Sequence, residues 1–403
     1  LSKTILLIGT LDTKGVEFAY VRDLIAARGH RVLVMNAGIF EPTFQPDIGA
    51  EEIARAGGGD LAVLRNTNDR GGAVAVMTQG VAQFVPQLYA NGKFDGVLSL
   101  GGSGGTAIAT AGMRALPVGV PKIMVSTVAS GDIAPYVDVK DITMMYSVVD
   151  IAGLNKLSRQ ILANAVGMIC GAVEQTIPAG EDKPLITATM FGVTTPCVTQ
   201  VREKLEAAGY EVLVFHATGS GGRAMEALID GCFITGVADI TTTEWCDELV
   251  GGVLSAGPHR LEAAGRNKIP QVVSLGALDM VNFWAYDTVP EKFKHRNLYK
   301  HNANITLMRT TPEENAQLGR IIAEKLNMAQ ERTVLFIPLK GVSALDDAGK
   351  AFDSPEADIA LFEAIRQNIG ANVEVVELDL HINDPAFADA MANRLLALIS
   401  QEN

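Results

Sequence analysis

The stretch "TILLIGTLDTKGVEFAYVRDLIAARGHRVLVMNAG", Thr4 to Gly38, decides the fold. It opens on "TILLIGT", an apolar run of strand length. From Lys14 to Gly29 the apolar residues fall at helical spacing, and the run stops at a glycine, a common helix terminator. "HRVLVMNAG", His30 to Gly38, is a second buried-strand run. Strand, helix, strand with short links predicts a parallel sheet, whose strands are covered on both faces and therefore read as continuous apolar runs.

The same alternation continues. "FDGVLSLGG" and "PKIMVSTVA" read as strands, and "AVAVMTQGVAQFVPQLYANG", "GTAIATAGMRAL" and "NKLSRQILANAVGMICGAVEQT" as helices. "IPAGEDKP", Ile177 to Pro184, reads as a linker. Beyond it the opening recurs. "VRDLIAARGHRVLVMNA" (Val21 to Ala37) aligns without gaps with "VREKLEAAGYEVLVFHA" (Val201 to Ala217), a pattern that predicts duplication. The expected fold class is α/β, with two tandem Rossmann-like domains of mostly parallel sheet, residues 1–180 and 181–403. In the second domain strands are expected near "CFITGVADIT", "PQVVSLGA", "RTVLFIPLKG" and "NVEVVELDLHI". The region Leu278 to Thr311 is less regular and reads as a long loop or cover carrying Trp284, Tyr286, His295, Tyr299 and His301.

Bulk composition bounds the function. A chain of 403 residues exceeds one ordinary core, and 48% hydrophobic with 20% charged residues suits a soluble globular protein. A formal net charge of −13 argues against a nucleic-acid partner, although a local pocket can still hold a small anion. Cys170, Cys197, Cys232 and Cys246 show no CxxC spacing and read as buried, reduced thiols. The N-terminus lacks the shape of a signal peptide, and the apolar run Ile161 to Val173 is too short to span a bilayer. A cytoplasmic protein without membrane contact is expected.

"VLSLGGSGGTAIATAG", Val97 to Gly112, carries the chemistry. Glycine at a strand-to-helix junction lets a ligand approach the backbone, and the helix N-terminus suits a phosphate. Gly101, Gly102, Ser103, Gly104, Gly105 and Thr106 are thus a candidate phosphate cradle, a tight turn being the plain alternative. GxxxxGK[ST] is absent, and the acidic residue of a dinucleotide fingerprint is missing at its usual distance. Asp12, Thr13 and Lys14 in "GTLDTKG", and Arg65 and Arg70 in "RNTNDRGGA", lie in further polar loops at strand ends. "FHATGSGGRAME" repeats the theme and marks a second candidate anion site at Gly219, Gly221, Gly222 and Arg223. Glu244, His259 and His381 are candidates for acid/base work, in "TTTEWCDELVGG", "SAGPHR" and "DLHINDP". No spacing assigns a metal.

"GTLDTKG", "GGSGGT", "TTTEWCDELVGG", "HNANITLMRTT" and "HINDPAFADA" together resemble the ATP-binding family typified by the tomato mosaic virus resistance protein, along essentially the whole chain. The resemblance implies two Rossmann-like domains, ATP in the first, and a homodimer. By motif, Asp12, Thr13, Lys14 and Gly101 to Gly104 would contact the nucleotide, joined by Arg70 and Thr43. Plant members inhibit tobamovirus RNA replication and carry a further C-terminal barrel that this sequence lacks, which points to a bacterial-type member. The expectation is an ATP-dependent enzyme, with Mg²⁺ on the phosphates through Asp12 or Asp132, acting on a small acidic metabolite at a cleft between the domains. The alternative is a nucleotide-responsive binding protein without turnover. A dehydrogenase using "GSGGTA" is the weakest reading.

Overall fold

Apolar residues at consecutive strand positions need cover on both faces, and the protein supplies it twice. The structure is a computed structural model describing residues 2–67, 69–178, 180, 182–330 and 332–400. Ala179 and Glu181 of the expected linker and Asn68 of "RNTNDRGGA" lie outside the described residues. The chain divides into two compact units, Leu1–Ala179 and Gly180–Asn403.

The first unit runs β1 (Thr4–Gly9), α1 (Leu11–Ala27), β2 (Arg31–Asn36), α2 (Ala50–Ala56), α3 (Leu61–Asn66), α4 (Arg70–Ala90), β3 (Gly96–Gly101), α5 (Ser103–Arg114), β4 (Lys122–Ser126), α6 (Ala134–Val137), β5 (Thr143–Tyr146) and α7 (Lys156–Glu174). Its five strands are parallel, in the doubly wound order β2-β1-β3-β4-β5. Alternate residues of β1 feed opposite cores. Leu6 and Ile8 join Met77 and Val81 of α4 and Ile108 of α5. Ile5 and Leu7 join Phe18 and Val21 of α1 and Ile169 of α7. The edge strand β5 escapes sequence reading because it has four residues, none fully buried.

The second unit runs β6 (Leu185–Met190), α8 (Thr195–Ala207), β7 (Glu211–His216), α9 (Ser220–Asp230), β8 (Ile234–Thr241), α10 (Glu244–Val250), α11 (Ala263–Arg266), β9 (Gln271–Gly276), β10 (Met280–Phe283), β11 (Leu298–Lys300), β12 (Thr306–Arg309), α12 (Pro312–Asn327), β13 (Thr333–Pro338), α13 (Pro355–Asn368), β14 (Glu374–Leu378) and α14 (Pro385–Ser400). Read from β7, its parallel sheet runs β7-β6-β8-β9-β13-β14. That is the first unit's order with one strand added. The repeat extends to its stops: Gly29 and Gly209 both take positive φ, +86° and +97°, after their helices. Only glycine does this without strain. Ala37 N–H then donates to Gly9 O, and Ala217 N–H to Met190 O.

Leu278 to Thr311 departs from expectation. It folds into a small antiparallel sheet, β10-β12-β11, whose strands of three or four residues are too short for alternation to be legible. Trp284, Tyr286 and Tyr299 stay exposed there. Cys170, Cys197 and Cys246 are buried as expected, whereas Cys232 is exposed, and all four are free thiols. No helix among the described residues is long and apolar enough to cross a membrane.

Candidate functional site

In a doubly wound sheet the connections from β1 and β3 leave toward opposite faces, so a crevice opens between the C-terminal ends of these two strands. In the first unit a cavity of about 570 Å³ lies there. Thr10, Asp12, Thr13 and Lys14 line it from the end of β1, and Gly38, Ile39 and Phe40 from the end of β2. α3 and α4 contribute Arg65, Asp69, Arg70, Val74 and Met77. Gly101 to Gly105 form its floor at β3 and α5, with Asp150 beyond.

Each wall has a local cause. Asn36, buried at the end of β2, accepts from Leu11 N–H (3.2 Å) and Gly38 N–H (2.9 Å), which ties that loop to the start of α1. Asp12 Oδ2 accepts from Phe40 N–H at 3.0 Å. Asp69 caps α4 by accepting from Gly72 N–H at 2.9 Å. The Lys14 ammonium donates to Ile151 O, and Arg65 Nε to Ile39 O. At the floor, α5 starts with Gly102 as its N-cap and no side-chain cap. The first N–H groups of a helix have no intrahelical acceptor, so those of Ser103, Gly104 and Gly105 remain to be satisfied.

The glycines of this floor are of two kinds. A Cβ on Gly101 would come within 3.1 Å of Gly105 Cα, so packing constrains it. On Gly102, Gly104 or Gly105 it would meet nothing closer than 3.7, 3.9 and 3.9 Å respectively. None of the three has positive φ. Neither packing nor conformation calls for glycine at these positions.

Two expected contacts fall outside the cavity. Thr106 is fully buried, its Oγ1 donating to Gly102 O (2.8 Å) and sharing a hydrogen bond with Ser126 Oγ (2.7 Å). Thr43 Oγ1 donates to Leu11 O at 3.3 Å, and its side chain covers Gly15. Both hydroxyls hold the strand-end loops together. Asp132 accepts from Ala134 N–H at 3.0 Å and does not line the cavity. Asp150, Ile39 and Phe40 do line it, and sequence reading missed them. Only the position of the "MMYSVVD" and "MNAGIF" segments just past strands could have marked them.

The second candidate anion site is filled. Glu244 Oε1 accepts from Gly219 N–H (2.7 Å) and Gly222 N–H (3.0 Å), and Oε2 from Arg260 Nε (2.7 Å). Arg260 Nη2 also donates to Asp239 Oδ1 (2.7 Å), and Nη1 pairs with Asp239 and with Glu226. Burial opposes the guanidinium's charge, but these carboxylates hold it well above its usual range. Arg223, expected to grip the anion, has an exposed side chain on the first turn of α9.

The expected catalytic residues do not converge. Glu244 is locked in the network above. The His259 side chain is 84% exposed beside Glu262. His381 spends both ring nitrogens on backbone, Nε2 donating to Ser343 O (2.9 Å) and Nδ1 accepting from Asn383 N–H (3.1 Å). His295 and His301 are exposed around the small antiparallel sheet. A buried acidic group lies elsewhere in this unit. Arg309 donates to Phe352 O, Asp346 and Asp358. Burial raises the carboxyls of Asp279 and Asp346 and takes Asp358 to about 7, with Arg309 opposing. Burial likewise takes Asp247 to about 7, against hydrogen bonds from Asn282. No group of three or more metal-ligating side chains is assembled among the described residues.

Comparison with known proteins gives a consistent picture. Residues 3–178 match the N-terminal domain, and residues 183–399 the C-terminal domain, of an uncharacterised protein family, UPF0261. The chain is 54% identical over 404 residues to a UPF0261 protein of Clostridium tetani, covering 100% of both. A UPF0261 protein of Rhizobium meliloti is 52% identical, over 96% of this chain and 97% of that one. The ToMV resistance protein Tm-1 of Solanum lycopersicum is 45% identical, over 82% of this chain and 45% of its own length. Among solved structures, a UDP-N-acetylglucosamine 2-epimerase from Rickettsia bellii spans 100% of this chain and 96% of its own, at 9% identity and a TM-score of 0.24. That likeness is too slight to bear on function.

Proposed function

We propose that this chain, which belongs to the uncharacterised protein family UPF0261, binds ATP in the cavity of its first unit and acts as a nucleotide-responsive binding protein. One observation carries the reading: Gly102, Gly104 and Gly105 are bare without internal reason, on a helix N-terminus that faces a cavity of nucleotide size. A residue kept small where the protein itself makes no use of the space implies something else that does. Phosphates on that floor would receive the free N–H groups of α5, with Lys14, Arg65 and Arg70 supplying positive charge. Ile39, Phe40, Val74 and Met77 offer an apolar wall for a base. Mg²⁺ enters this reading as the counter-ion that ATP brings, since Mg²⁺ binds with few protein carboxylates and much phosphate.

The binding reading is preferred to an enzyme acting through Glu244, His259 and His381, because those three side chains are separately engaged or exposed. Calorimetric titration of ATP, with and without Mg²⁺, tests the proposal. Micromolar binding to the intact protein is expected, together with a rise in melting temperature by mass action. Absence of binding to the intact protein overturns the nucleotide assignment.

A further inference from the structure

We infer that the second unit also contains a built anion site, of the carboxylate-binding class and the size of one acetate, and that its occupant is the chain's own Glu244. Three donors define it: the N–H of Gly219, the N-cap of α9, the N–H of Gly222 on its first turn, and Nε of Arg260. Glu244 and Arg260 are each 1% exposed. Asp239 and Glu226 aim the guanidinium from its other side. Two backbone donors and one guanidinium on two carboxylate oxygens is the pattern by which proteins hold a free carboxylate.

The loop packs tightly, against this occupant at Gly222 and against backbone at Gly219 and Gly221. A Cβ on Gly222 would lie 2.1 Å from Glu244 Oε2, and one on Gly221 1.9 Å from His216 O. Gly219 takes φ +84°, and a Cβ there would meet Ser255 O at 2.5 Å.

Topology explains why the carboxylate stands where a ligand would. β7 is the counterpart of β2 and β8 that of β3 in the common strand order. Glu244 opens the helix after β8, as Ser103 opens the helix after β3. The Gly219–Gly222 loop follows β7, as the Gly38–Phe40 loop follows β2. In the first unit a cavity separates those two edges. In the second unit the Glu244 side chain crosses between them. A covalently supplied anion forgoes the entropy cost of association and excludes an external one. The inference does not depend on the ATP reading; combined with it, the chain holds one nucleotide rather than two.

Glu244→Ala removes the atoms of one acetate and leaves the three donors. The melting midpoint of the full-length variant is measured at pH 7 in sodium acetate and in sodium chloride of equal ionic strength. The variant is expected to melt below the wild type and to gain several degrees from acetate over chloride. The wild type and Glu244→Gln, whose sites are full, are expected to respond equally to both salts. An acetate gain no larger than that of chloride overturns the inference, as does an equal acetate gain in Glu244→Gln. So does stabilisation by inorganic phosphate without stabilisation by acetate. Should Glu244→Ala be recovered only unfolded, its refolding yield from urea with acetate against chloride is read the same way.

Discussion

The two glycine-rich junctions read alike and are built for opposite ends. At Gly102, Gly104 and Gly105 the protein leaves space that nothing of its own occupies. At Gly219, Gly221 and Gly222 every missing Cβ makes room for a neighbour in the same unit. One loop is bare with no neighbour against it, and the other is bare toward Glu244 at Gly222 and toward backbone carbonyls at Gly219 and Gly221. A glycine pattern therefore says that something comes close to the backbone. Whether that something is a ligand or a side chain follows only from what a Cβ would strike.

The largest effect of a single substitution is expected at the filled site. Arg260→Met leaves Glu244, Asp239 and Glu226 facing one another without a buried cation. Removing one partner of a buried ion pair costs about 3–5 kcal/mol, so chemical denaturation should show a loss of that size. A loss under about 1 kcal/mol would mean that the cradle is not the closed unit described. Next comes Gly104→Asp, which puts a carboxylate on the open floor. ATP affinity is expected to fall at least about tenfold, a change of roughly 1.4 kcal/mol, while the fold persists. An unchanged affinity would remove the floor from the nucleotide site.

The pH dependence separates the two units further. Asp247 and Asp358 have carboxyls near 7 in the folded chain, against an ordinary 3.8, and Asp279 and Asp346 are shifted the same way. A raised carboxyl binds its proton more tightly when folded. Its contribution to stability is complete below its unfolded pKa and is lost as pH rises through its folded value. All four residues lie in the second unit, and so do both tryptophans, Trp245 and Trp284. The unfolding midpoint followed by tryptophan emission should therefore fall between pH 5 and pH 8. A midpoint that rises over that range contradicts the assignment. The smallest effect is at Gly105→Ala. Alanine there should add about 0.5–1 kcal/mol of stability through helix propensity and weaken ATP binding at the same time. A destabilised variant would show that the floor is tighter than its geometry indicates.

Much of the fold was legible in the sequence. Continuous apolar runs ending in glycine gave the parallel strands, and the Val201–Ala217 recurrence announced the second sheet's matching start. "GGSGGT" reads as a candidate phosphate cradle from the type of its residues, and Gly101 to Gly105 line the cavity. Other features were hidden for physical reasons. Glu244 lies 25 positions beyond Gly219 and 22 beyond Gly222, and no local pattern records that pairing. Thr106 looked like a donor to a ligand, but its hydroxyl is spent on Gly102 O and Ser126. The helix Pro355–Asn368 went unread, although Ala357, Leu361, Phe362 and Ile365 fall at helical spacing.

The separations that hid these contacts also bear on the entropy cost of closing each site. The cradle's three hydrogen bonds span 16 to 25 positions along the chain. The Lys14 contact at the cavity spans 137. Loop-closure entropy grows with separation, so the Lys14 contact closes a costlier loop than any hydrogen bond of the cradle. The filled site closes among near neighbours, whereas the open one also draws on the segment beyond β5. The cavity wall thus shares the long loop closures of its unit, such as Tyr20 with Arg159 and His30 with Glu174.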